Sequence, residues 1–338
     1  MNSFRKIGAL ILFICFALLY CGNPQQTNPP SNVGGFSGIA GESGEGGSDE
    51  VDSGAGIAGF NLNLGGNFNF DGGNEIAGSG GYVLPSDFTP GLFGGFKLGK
   101  EINSNTPSGN GGNSGAICGT QILGVVRDFK GSNETNGHSD FEHFSGGDIS
   151  EGIVNLILGT DQKPVYSSTG SFIDPNYGQQ TTTKTNFDQW YRNSEINKSY
   201  VIYLYFEPNQ GILTFHSNLF FPLDNFGFGN GPNSHNFGFT TEIHTRFDYN
   251  GGEEFNFVGD DDVWVFINNI LAIDLGGVHQ PVSKSVSLDD EADKLNIQIG
   301  KNYSLDLFHA ERHTVESNFR VDTNLSFTNC GTIIDIPR

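Results

Sequence analysis

The sequence predicts an all-β protein: one antiparallel β-sandwich, preceded by a glycine-rich disordered tether and a short export segment. Three observations carry this. Residues 118–338 hold 20 of the 30 Phe, both Trp and eight of the ten Tyr but only three Ala, a bias that favours strands over helices. The apolar runs of that stretch are strand-length and bounded by Gly, Asn, Asp or Pro, with no helical periodicity between them. Finally, 25 of the 49 glycines lie between Val33 and Gly115, where Lys97 and Lys100 are the only basic residues and Cys and Trp are missing. Such a stretch buries too little apolar surface to offset the backbone entropy of glycine.

In chain order, residues 1–21 come first. Arg5 and Lys6 precede an uncharged run from Ile7 to Tyr20, long enough for a signal peptide and too short for a membrane-spanning helix of about 20 residues. Cys21 follows directly, ahead of a polar, Pro-rich stretch. This resembles a bacterial lipoprotein signal in which the Cys becomes the lipidated first residue, although Tyr20 stands where a small residue is usual. The expected location is therefore outside the cell membrane, as a lipoprotein anchored through Cys21 at the cell surface or outer membrane; plain secretion is the alternative. Residues 22–117 read as a linker. A flexible chain spans roughly 5–6 Å × √n, which holds the next domain on the order of 50 Å from its anchor. Within the linker, residues 60–64 and 68–70 alternate apolar and polar with a period of two.

The domain itself is read as 118–338, with strands over residues 122–129, 200–206, 255–258, 263–267, 270–275, 303–308 and 319–327. Cys118 and Cys330 stand at its two edges, and in an exported protein such a pair is expected to form a disulfide. Seventeen Lys and Arg against 38 Asp and Glu give a net charge of −21. That balance argues against nucleic acid or an anionic membrane surface as a partner, because both need clustered bases. It leaves divalent cations and neutral ligands open.

Several ordered blocks then become specific. They include Val126-Arg-Asp-Phe129, Asp140-Phe-Glu142, Phe187 through Trp190-Tyr191, Phe220-Phe-Pro-Leu-Asp224, Asn236-Phe-Gly-Phe-Thr-Thr-Glu242, Phe257-Val-Gly-Asp-Asp-Asp-Val-Trp-Val-Phe-Ile-Asn268, Asp274-Leu-Gly-Gly-Val-His279 and Phe308-His-Ala-Glu-Arg-His313. Through these blocks, residues 120–327 resemble the fibro-slime domain, found in exported bacterial and social-amoeba proteins. That domain is related to the protective-antigen-type β-sandwich of adhesins, toxins and carbohydrate-active proteins. The resemblance implies a non-enzymatic surface protein that binds glycan or extracellular matrix; a structural component of a surface or periplasmic assembly is the alternative.

The resemblance also implies a calcium site. In lectin-like relatives an Asp-Asp pair before a strand binds Ca²⁺, and on that pattern Asp260, Asp261 and Asn268 are the expected ligands, with Asp262 as a further candidate. Three adjacent carboxylates repel one another and ask for a cation or for donors, so capping of backbone N–H groups is the competing role. His309, Glu311 and His313 share one face if they lie on a strand; with His279 they form either a polar network or a ligand site. Their order departs from the HExxH arrangement of zinc hydrolases. Trp190 and Tyr191 are candidates for stacking on a sugar. A Gly-x-Ser-x-Gly elbow and a P-loop are missing.

Overall fold

The computed structural model describes residues 89–102, 109–110, 118 and 120–334. The export segment, Cys21 and residues 22–88 lie outside them. The first strands are β1 (Thr89–Pro90), β2 (Gly95–Ile102), β3 (Gly109–Asn110) and β4 (Gln121–Phe129). A long covering segment follows, holding the small hairpin β5 (Ile173–Asp174) and β6 (Gly178–Gln179) and the one-turn helix α1 (Lys184–Phe187). Next come β7 (Asn197–Tyr205), β8 (Glu207–Asn209), β9 (Ile212–Ser217), β10 (Phe239–Tyr249), β11 (Glu254–Gly259), β12 (Asp262–Ile267), β13 (Ile270–Leu275) and β14 (Val282–Ser287). Helix α2 (Ala292–Leu295) precedes β15 (Lys301–Glu311), β16 (Phe319–Thr323), β17 (Ser326–Asn329) and β18 (Thr332–Ile333).

The larger sheet runs β1-β2-β7-β4-β10-β15-β12-β13, with β17 also paired to β10, and the smaller runs β14-β11-β16-β9-β8. All these pairings are antiparallel. Ile202, Leu204, Val263, Val265 and Leu307 of the larger sheet share one buried cluster with Phe215, Phe257, Phe319 and Val321 of the smaller. That shared cluster is the interior of a β-sandwich.

The other face of the larger sheet is covered as well. Trp264, Phe266, Phe308 and Ala310 point away from the sandwich into a second cluster with Phe141, Ile153, Phe187, Trp190 and Tyr191 of the covering segment. Burial on both faces is why β12 reads as an unbroken apolar run after Asp262. Its turn into β13 is made by Asn268 and Asn269, at φ 52° and 63°. This is the hairpin geometry that Asn tolerates.

The sheet begins earlier than the sequence suggested. Residues 89–102 fall inside the segment read as linker, yet Phe96 pairs with Leu204 and Leu98 with Ile202, and Phe96 is 4% exposed. Glycines on both sides of this strand gave it the composition of the linker, while its pairing partner lies about a hundred residues downstream.

Candidate functional site

The turn between β11 and β12 holds Asp260, Asp261 and Asp262, all buried, and the Asp260–Asp261 peptide bond is cis. Each of the six carboxylate oxygens already accepts a hydrogen bond from the protein. Asp260 takes the Asn318 amide N–H at 2.5 Å and the Asn318 side-chain amide at 2.9 Å. Asp261 takes the backbone N–H of His279 at 3.2 Å and of Arg312 at 3.0 Å. Asp262 takes the Gly277 N–H at 2.6 Å and the Arg312 Nε at 2.6 Å. Burial pushes the Asp261 carboxyl well above the usual carboxylate range, with Arg312 opposing the shift.

Arg312 is the countercharge that answers the repulsion. Its side chain and that of Asp262 are both 0% exposed in a 2.6 Å ion pair. Its Nη1 donates to the carbonyls of Gln180 at 2.9 Å and Asp140 at 3.3 Å, and its guanidinium lies 4.7 Å from the Trp190 ring. One cation therefore ties the acidic turn to the covering segment.

Asn268 is not brought to this turn. It lies beyond the far end of six-residue β12, on the order of 20 Å away at about 3.4 Å per residue. Its amide donates to the carbonyls of Leu295 and Asn296. Among the described residues no group of three or more His, Cys, Asp or Glu is arranged to hold a metal ion. Asp260, Asp261 and Asn268 thus do not fit a calcium ion as one ligand set; their arrangement is that of caps.

The second expected cluster also turns inward. His309 and Glu311 do share the sandwich-facing side of β15, but His313 lies past the strand end. His309 Nε2 contacts the Asp260 carbonyl at 2.8 Å, and burial pushes its imidazole down to about 4. Both ring nitrogens of His279 lie against backbone carbonyls, Gln280 at 2.8 Å and Leu275 at 3.2 Å. Burial, then the Asp261 and Asp260 charges, push Glu311 up. Trp190 and Tyr191 are 0% exposed, so neither offers a ring to an external sugar; Trp190 Nε1 instead donates to Asp140 at 3.1 Å.

The sequence reading missed two features. On the covered face of the larger sheet, Glu242 meets Arg127 at 2.6 Å, Lys163, and His244 at 2.5 Å, and His244 meets Asp306 at 2.7 Å. These buried charges lock the covering segment to β4, β10 and β15. The other feature is an open cleft of about 450 Å³, within the roughly 300–1,000 Å³ typical of small-ligand clefts. Phe96 and Leu98 of β2 form part of its wall, and Leu219, Phe221, Pro222, Asp224, Phe226 and His235 supply the rest with Thr89.

The loop that builds the cleft is fixed by hydrogen bonds. Asp224 accepts the Asn236 N–H at 2.8 Å and faces His235 Nδ1 at 2.6 Å, and the His235 ring stacks on Phe221 at 4.2 Å. Asp128 of β4 holds the loop from below, accepting from the Asn236 side chain at 2.8 Å and from the Phe228 N–H. Gly227 is required there: at φ 60° a Cβ would stand 2.0 Å from the Asp128 carboxylate. Phe226 is left 52% exposed and Leu219 63%. The blocks Phe220-Phe-Pro-Leu-Asp224 and Asn236-Phe were visible in the sequence, but nothing local said that they face each other.

With this geometry in place, the likeness to known proteins is specific. Residues 197–337 match the PA14 domain. That span starts at β7 and contains the acidic turn, Arg312 and the cleft loop, while β2, β4 and the covering segment precede it. The chain is 38% identical over 213 residues to protein psiR of Dictyostelium discoideum, covering 58% of this chain and 20% of psiR. It is 38% identical over 203 residues to protein psiD of the same organism, covering 56% of this chain and 39% of psiD. The chain thus spans well under half the length of these curated relatives. Among solved structures, the PA14 domain of the antifreeze protein MpAFP aligns with 65% of this chain and 84% of its own at 12% identity, with a TM-score of 0.22, too loose a superposition to bear on the site.

Proposed function

We propose that the chain is an exported, non-enzymatic binding protein whose fibro-slime-type domain recognises glycan or matrix at the cell surface, held there by lipidation at Cys21. The observation that carries this reading is the cleft. A half-exposed Phe226 ring lining the same cleft as the Asp224–His235 pair offers an apolar face and polar groups together, as a sugar ring requires. The PA14 match is consistent with it, since that domain is known in carbohydrate-binding and adhesion proteins. A calcium requirement is the part of the expectation the geometry supports least, because Asn268 lies at the far end of β12 and every carboxylate oxygen of Asp260, Asp261 and Asp262 already accepts an internal donor.

The test is a glycan array probed with the full chain and with Phe226→Ala, each in EDTA and in millimolar Ca²⁺. We expect a saccharide signal in both buffers that falls at least tenfold in the variant. A signal seen only with Ca²⁺ and lost in Asp260→Asn would return the ion to the site, and no signal under any condition would refute glycan binding. A second reading, a structural component of a surface assembly, is favoured by the exposed Leu92, Phe93 and Leu219. It predicts a stoichiometric protein partner that Leu219→Ser releases.

A further inference from the structure

The two cysteines of the domain come from its opposite ends and meet. Cys118 lies just before β4, with its carbonyl accepting the Gln121 N–H. Cys330 occupies the turn between β17 and β18, and its carbonyl accepts the Leu123 N–H at 2.8 Å. Gly331 makes this approach possible: its φ is 102°, and a Cβ there would stand 2.2 Å from the Leu123 carbonyl oxygen. Both cysteines are buried, at 4% and 7% exposure. The expected disulfide is not formed in the structure: both are reduced thiols whose side chains hydrogen-bond to each other, a contact that raises the Cys118 thiol and lowers that of Cys330.

We propose that Cys118 and Cys330 are joined by a disulfide in the exported protein and that this bond is a mechanical stop for the domain. The chemistry needs an oxidant, a protein or small-molecule disulfide. One of the two cysteines, as its thiolate, attacks one sulfur of that disulfide, forming a mixed disulfide and releasing the first leaving thiolate. The other then gives up its proton, attacks the Sγ of its bonded partner and expels the second thiolate. The dithiol loses two electrons and the donor disulfide gains them. The pair is buried only once β4 and the β17–β18 turn are in place, so oxidation must accompany folding.

The position of the bond gives it a mechanical role beyond stability. Strands β1, β2 and β3 lie upstream of Cys118, so a pull from the N-terminal side can peel them without loading the bond. Everything from β4 to β17 lies inside the closed loop and cannot extend. The 212 residue steps from Cys118 to Cys330 would otherwise release roughly 700–760 Å of contour length at 3.3–3.6 Å per residue.

Two measurements on the full chain test this. After refolding with a mixture of oxidised and reduced glutathione, a non-reduced peptide map should contain a cross-linked pair carrying Cys118 and Cys330. Using glutathione as donor keeps the result independent of whether the protein is exported. Two separately alkylated cysteines would overturn the pairing. In single-molecule pulling through the termini, the oxidised protein should stop short of full extension by roughly 700–760 Å, and the Cys118→Ser/Cys330→Ser variant should recover that length. Full extension of the oxidised wild type would overturn the stop. The peptide map stands on wild-type protein alone, so the pairing stays testable even where the double variant fails to fold.

Discussion

Replacing Arg312 with Met removes one positive charge from a fully buried position while keeping most of its volume. Asp262 would then retain its Gly277 contact at 2.6 Å but lose its ion pair with Arg312. The carbonyls of Gln180 and Asp140 would lose the Nη1 donor. Breaking a buried pair by removing one partner costs about 3–5 kcal/mol, and each orphaned carbonyl adds about 1 kcal/mol where water cannot replace the donor. We expect a loss of about 5 kcal/mol, or a fall in Tm of roughly 10–20 °C at 2–4 °C per kcal/mol. Urea unfolding followed by tryptophan fluorescence is the assay, since the Trp190 ring lies 4.7 Å from the guanidinium. A cycle with Asp262→Asn isolates the pair: the double variant should be at least 2 kcal/mol more stable than the two single losses predict, about the coupling of contacting charges. A cost below about 1 kcal/mol, or strict additivity, would refute the claim that Arg312 resolves the repulsion of the acidic turn.

Other consequences concern pH and the hairpin. Burial lowers the His309 imidazole from 6.5 to about 4, so between these values the unfolded chain holds a proton that the folded chain does not. Its contribution is complete above about 6.5 and is lost as pH falls towards 4, on the order of 3 kcal/mol; His309→Gln should flatten that acid limb relative to wild type in urea titrations at pH 4.5 and 7. His244 has the opposite sign. Burial disfavours its charge, but Glu242 and Asp306 outweigh burial and raise it above 6.5. Its contribution is therefore full below 6.5 and lost as pH rises through the folded value, and NMR titration should find this ring losing its proton at a higher pH than a free imidazole, while His309 loses its proton at a lower one. At the β12–β13 turn, Asn269 at φ 63° should accept Gly with little change, whereas Asn269→Val should cost about 1–2 kcal/mol in the same unfolding assay.

How far the sequence could be read depends on whether each residue's partner was local. Strand β12 and the Asn268–Asn269 turn were legible because an apolar run and two αL-tolerant residues carry their own information. Strand β10 was not picked out as a run, because its interior Thr240, Thr241, Glu242, His244 and Thr245 are buried yet polar and so break the apolar alternation on which such a reading depends. Strand β14 has exposed Ser283, Lys284 and Ser285 at the edge of its sheet and looks like a loop. The acidic turn was recognised as needing compensation, but the compensating Arg312 lies fifty residues away in sequence, and only the fold pairs them. The same holds for Trp190 and Tyr191, whose burial depends on a covering segment with little regular structure.

That covering segment also decides where recognition can take place. A sandwich sheet with one free face could present aromatic rings to a ligand directly, but here Trp190, Tyr191, Trp264 and Phe308 all go into the second apolar cluster. The charges on that face, Arg127, Lys163, Glu242, His244 and Asp306, are spent on one another. Opening the face to a ligand would mean breaking buried ion pairs at several kcal/mol each. A ligand must therefore be met at the loops and edges. There the segment from Leu219 to His235 combines exposed apolar surface with a hydrogen-bonding pair on a backbone anchored by Asp128. If binding resides elsewhere, Phe226→Ala leaves affinity intact; if it resides here, weakening that anchor with Asp128→Ala should lower affinity without touching the ligand, because the loop would lose both its Asn236 and its Phe228 contacts.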